Sequence, residues 1–163
     1  MRGEHFYYGL LAALAIALIV AAFTDIRARR IGNRLTLVVA LGAPLFWWAA
    51  GLSLWPGLPL QLAVALGCFA FCCAFFALGM MGGGDVKLLT ALALWFPPMV
   101  FLQLFVIMSI AGLVLTLAFG AWHIARRRRD RIAIPYGIAI AAAGLWTIAS
   151  LSLPAIQASG QTG

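Results

Sequence analysis

Charge is what this chain has least of. Only 9% of its 163 residues are charged, and the acidic ones number four: Glu4, Asp25, Asp85 and Asp130. A soluble domain carries about a quarter charged and about half apolar residues, whereas 65% of this chain is hydrophobic. That imbalance excludes a soluble enzyme, a disordered tail and a nucleic-acid-binding domain. Histidine is as scarce, and His5 and His123 lie far apart, so no His-Glu-x-x-His pair exists to hold a catalytic zinc. The only cysteines, Cys68, Cys72 and Cys73, share one apolar stretch without the paired spacing of a zinc site. They read as small polarizable packing residues. Serine chemistry fails on spacing, because Ser109 precedes His123 by 14 residues, about 21 Å along a helix. Gly82-Gly83-Gly84 runs into Asp85 and not into Gly-Lys-Ser/Thr, so there is no Walker loop. No metal and no cofactor is expected.

What the chain has in quantity is uncharged apolar sequence. Runs of about 17–25 such residues cross a bilayer as helices. The first is not a cleavable signal peptide, since its positive cluster follows the apolar run instead of preceding it. Pro97-Pro98 interrupts the stretch from Leu88 to Trp122, and two adjacent prolines break one long helix into two. Six spans result, at about 6–24, 35–54, 60–78, 86–97, 98–122 and 132–153. Cytoplasmic loops carry the excess of Lys and Arg. Six crossings place Arg27, Arg29, Arg30, Arg34, Lys87, Arg126–Arg129 and Arg131 on that side and leave only Arg2 outside. The expectation is an all-α polytopic membrane protein, one domain over 1–158 with a polar, disordered tail at 159–163. Both termini are extracytoplasmic. The tryptophans mostly fall near span ends, where amphipathic rings favour the interface.

Two carboxylates remain as candidates for chemistry. Two crossings separate Asp25 from Asp85, so topology returns both to the cytoplasmic edge. About a dozen residues lie between Asp85 and Pro97, ~18 Å of helix against an apolar core of ~30 Å. With the Pro97-Pro98 turn at the outer interface, Asp85 is drawn below the inner surface or the bilayer thins there, and an ionised carboxylate at that depth costs a few kcal/mol. An aspartyl protease dyad would account for it. Two adjacent carboxyls share one proton, the ionised one activates water, and the protonated one donates to the developing oxyanion. Plainer readings stand beside this one. Asp25 caps its own helix or pairs with Arg29 or Arg30, Asp85 is the N-cap of the fourth helix, and the glycine triplet is a turn. Asp130 reads as charge balance within an arginine run, and the runs as topology determinants that touch anionic lipid.

Three motifs resemble those of a known family. Gly79-Met-Met-Gly-Gly-Gly-Asp-Val-Lys-Leu-Leu89 resembles the GxGD signature of the type IV prepilin peptidases, with Gly82, Gly84 and Asp85 at its fixed positions. Asp25-Ile-Arg-Ala-Arg-Arg-Ile-Gly-Asn33 resembles that family's first-aspartate motif, and Ile134-Pro-Tyr-Gly137 the element that opens its last span. The resemblance implies a six-helix GxGD aspartic endopeptidase of the bacterial inner membrane. It would remove the short basic leader of type IV prepilins or pseudopilins on the cytoplasmic side. Asp25 and Asp85 would be its catalytic pair. Gly82, Gly83, Gly84, Asn33, Pro135 and Gly137 would support the site. Lys87 would hold the site's charge, meet an acidic substrate residue or anchor the inside-positive edge. Gly32 stands where the family commonly has proline, and no cysteine-rich N-terminal domain precedes the first span, which implies cleavage without N-methylation. The size most resembles the Tad/Flp-pilus peptidases. The rival readings are a small ion- or proton-coupled transporter and a pilus-assembly scaffold with structural aspartates. The sequence leaves the oligomeric state open.

Overall fold

The computed structural model describes residues 2–125 and 136–160, with the side chains of 4–122 and 136–152. Among these residues all regular structure is helical: α1 (Arg2–Ala28), α2 (Asn33–Ala49), α3 (Gly57–Ala77), α4 (Gly83–Trp95), α5 (Pro98–Ala125) and α6 (Tyr136–Gly160). Three are long and apolar enough to cross a membrane, over Glu4–Ala28, Gly57–Ala77 and Pro98–Trp122. α6 carries a shorter apolar stretch, Tyr136–Ser152. α2 has 17 residues and α4 only 13. The outward faces of the long helices present Ile16, Ile19, Leu66, Leu113 and Leu117, as expected of a protein whose solvent is lipid.

The helix ends depart from the expected spans for local reasons. α2 stops at Ala49, short of the expected 54, because Gly51 takes a left-handed φ of +68°. The Leu52 and Gly51 N–H groups then donate to Trp47 O and Trp48 O, the paired bonds of a Schellman cap. α3 ends the same way at Gly79, φ +72°, with Met80 and Gly79 donating to Phe75 O and Phe76 O. Hydropathy alone misplaces the α2 end, since Leu52 and Leu54 beyond Gly51 are still apolar, whereas the α3 end falls at the expected 78. α4 ends at Trp95 and α5 begins at Pro98, so the proline pair breaks the chain as expected. α6 continues to Gly160, beyond 153 and into the expected tail.

α4 is the centre of the bundle. It packs against α2, α3, α5 and α6, while α1 closes the other side through α2 and α6. Val86, Leu88, Leu89, Ala91, Leu92, Ala93 and Trp95 are all buried on it. A buried helix end leaves carbonyls without partners, and other helices supply them here. Buried Gln61 of α3 donates Nε2 to Ala93 O at 2.7 Å and Phe96 O at 2.6 Å, and Trp47 Nε1 donates to Leu94 O at 2.6 Å. Trp95 returns a bond to α2, from Nε1 to Val39 O at 2.7 Å. Its ring lies on Gly42, where a Cβ would come within 2.7 Å. Unlike an interfacial tryptophan, Trp95 is therefore a core residue that locks α4 to α2. Cys68 and Cys72 are buried on α3 with sulfurs 3.9 Å apart, and all three cysteines are free.

Candidate active site

The first carboxylate stands at the end of α1. Asp25 is buried, 7% exposed, and its helix ends three residues later at Ala28. Arg29 follows with a left-handed φ of +50°, its N–H returning to Asp25 O at 2.8 Å. The Asp25 side chain serves another helix. Its Oδ2 accepts the Gly137 N–H of α6 at 2.9 Å. A Cβ on Gly137 would come within 2.7 Å of that oxygen and 2.9 Å of Cγ, so only glycine lets the α6 backbone approach the carboxylate. Tyr136 fixes this turn from the other side. Its ring lies against Gly112 of α5, where a Cβ would be 2.7 Å away.

The second carboxylate stands at the start of α4. Gly82 is the extended N-cap residue of α4 and has no side chain to cap with. Asp85 occupies the third helical position, so it is not the N-cap of its helix. From there its carboxylate faces back toward Gly82, whose Cβ position would be 3.0 Å from Oδ2. A carboxylate in a first helical turn meets the positive end of the helix dipole. Asp85 precedes the expected fourth span, and burial followed by the charge of Asp25 pushes its carboxyl up from the ordinary 3.8 to about 6, with the Gly82 N–H pulling the other way. Asp85 is 9% exposed.

One cavity of about 440 Å³ takes in both carboxylates. Its walls are Asp25, the loop 29–33 and residues 82–85. Ile31 is the buried anchor of that loop and sits on Gly84, where a Cβ would come within 3.1 Å of Ile31 Cβ. Arg29 and Arg30 line the mouth and are exposed. Among the described residues neither aspartate forms an ion pair. Among the same residues no cluster of three or more His, Cys, Asp or Glu is placed to hold a metal. Residues 12–117, more than half of the chain, match the type IV leader peptidase family. The chain belongs to that family. No curated protein and no solved structure matches it.

The remaining residues expected at a leader peptidase site divide into two groups. Gly82, Gly83, Gly84 and Asn33 line the cavity, and Gly137 touches Asp25. Lys87 points elsewhere: its Nζ donates to Asn33 Oδ1 at 2.9 Å, and it lines a neighbouring groove instead of the cavity. Pro135 and the arginine run with Asp130 lie outside the described residues. Sequence reasoning missed Ile31, Tyr136 and Gly112, which act through contacts between segments far apart in the chain. The local hints were Ile31 inside the first-aspartate motif and Tyr136 inside the Pro-Tyr-Gly element.

Proposed function

We propose that this leader peptidase is a membrane-embedded aspartic endopeptidase. It removes the short basic leader from type IV prepilins of the Flp class at the cytoplasmic membrane face, with Asp25 and Asp85 as its catalytic pair. The observation that carries this reading is the shared cavity, which two buried carboxylates from different helices line, neither in an ion pair among the described residues. In this reading all six helices cross the bilayer. The fourth crossing, at about 86–97, is short, about 18 Å, and leaves Asp85 just before it at the inner edge. Anionic lipids then meet the arginines of that edge.

The mechanism follows from the different holding of the two groups. Asp25, whose carboxylate accepts the Gly137 N–H, takes a proton from water as the water oxygen adds to the scissile carbonyl carbon. Asp85, held partly protonated near neutrality, gives its proton to the carbonyl oxygen. In the second step Asp25 returns its proton to the amide nitrogen as the C–N bond breaks. Asp85 recovers a proton from the tetrahedral hydroxyl, and the starting pair is restored. Neither a metal nor a covalent intermediate enters. The glycines at 82–84 leave room for an extended substrate backbone beside Asp85, where side chains would intrude.

The test is a processing assay in membranes. Wild type, Asp25→Asn and Asp85→Asn are each co-expressed with a Flp-type prepilin, and cleavage is read as a mobility shift. Both variants are expected to accumulate at normal levels and to leave the precursor uncut. Processing by either one refutes the dyad and returns the aspartates to a transport or structural role.

A further inference from the structure

Beside the catalytic cavity runs a second depression of about 390 Å³ between α2, α3 and α4. It starts at Asn33, which lines both spaces. From there it follows Lys87, Thr90, Ala91 and Leu94 along α4. Its α4 wall runs from Lys87 to Leu94, seven residue steps that make the groove about 10 Å long. Its floor is mostly apolar. Ala40 of α2 faces Ala91 of α4, and small residues on facing helices let a third helix approach closely. Both hydroxyls in the lining are already engaged, Thr36 with Asn33 O at 3.0 Å and Thr90 with Val86 O at 2.8 Å. The floor therefore offers an apolar segment no unsatisfied polar group. Leu37 and Phe69, both outward-facing, form the rims. Lys87 is the one charged group in the lining, and it stands at the end nearest the cavity. Among the described residues its one bond is to Asn33, which leaves donors of the ammonium for an acceptor on an occupant.

We infer that this α2–α3–α4 groove receives the apolar segment of the leader-bearing substrate as a helix. The cleaved bond would lie over Asp25 and Asp85, and Lys87 would meet an acceptor at the segment's cytoplasmic end. The inference rests on the peptidase reading above and adds the side from which substrate approaches. Continuity carries it: a chain leaving the cavity past Asn33 and descending into the bilayer meets this groove directly.

Site-specific photocross-linking in membranes tests it, with the full chain and an epitope-tagged Flp-type prepilin. A photoreactive residue replaces Leu37 on the groove rim or Leu113 on the outward face of α5. Substrate is expected to cross-link from position 37 and not from 113. Substrate captured only from 113 by an enzyme that still processes it overturns the groove and leaves the peptidase reading intact. Self-cross-linking or lipid adducts alone at 37, with processing intact, overturn it too. Failure of wild type to process any leader-bearing precursor overturns the peptidase reading, and the groove with it. Ala40→Phe, which fills the half-buried floor, is expected to raise KM roughly tenfold or more with kcat retained. A fall in kcat at unchanged KM goes against the groove.

Discussion

Asp85→Asn is expected to stabilise the protein while abolishing its activity. The magnitude follows from the raised Asp85 carboxyl, which goes from 3.8 to about 6. At 1.36 kcal/mol per pH unit, ionised Asp85 costs the folded state about 3 kcal/mol. The sign follows from linkage. A carboxyl whose folded pKa is raised leaves the protein at full stability below pH 3.8, and that stability is lost as pH rises through about 6. Asparagine has nearly the same shape, carries no charge and keeps an oxygen toward the Gly82 N–H. The variant should therefore match wild type near pH 4 and exceed it by up to about 3 kcal/mol at pH 8. At roughly 2–4 °C per kcal/mol for a chain of this size, the gain in Tm is roughly 6–12 °C. The buried cysteines provide a native reporter, since Cys68 and Cys72 become reactive to a thiol dye only on unfolding. The pH dependence of groups that do not interact with Asp85 cancels in the difference between variant and wild type. Asp25 contributes part of the rise, so Asp85→Asn should gain less when placed on Asp25→Asn. Equal stability of variant and wild type at pH 8, or the same gain at pH 4 and pH 8, refutes the reasoning.

Other expectations can be checked in the same membranes. Gly137→Ala should displace the Asp25 carboxylate and cut processing by roughly a hundredfold, on the scale of a misplaced catalytic group, with normal protein levels. Gly67→Ala, whose new methyl meets nothing within 4 Å, is the silent control. Gln61→Leu removes the donor to Ala93 O and Phe96 O and should cost about 2–4 kcal/mol in thiol-dye melts, the penalty of two buried carbonyls left unpaired. In the pH profile of kcat/KM, the proton held by Asp85 is lost as pH rises through about 6, so the rate should fall on that limb. Chelators such as EDTA should leave processing unchanged.

The scarcity of charge made the two aspartates legible. With four acids in the chain, the two that an expected six-span topology would return to one membrane edge stand out. The proline pair was equally legible, because no arrangement of one helix satisfies two missing donors. What the sequence concealed was contact between remote segments. Nothing near Asp25 points to a Gly137 N–H that lies 112 residues away, and nothing near Gly112 announces the Tyr136 ring. Hydropathy also could not distinguish a helix facing lipid from one enclosed by its neighbours, since both are apolar all round. α4 is the enclosed kind, and the signal was Gln61, a lone amide in an apolar run that turns out to hold the carbonyls at the far end of α4. Enclosure also sets the chemistry of Asp85. A longer helix facing lipid would carry its first turn into water, where a carboxyl is ionised at neutral pH. A short helix sunk in the bundle buries that turn, while its own N-terminal N–H groups still favour the charge. The two effects oppose each other, and their balance leaves the Asp85 carboxyl at about 6, able both to hold and to release a proton on either side of that pH.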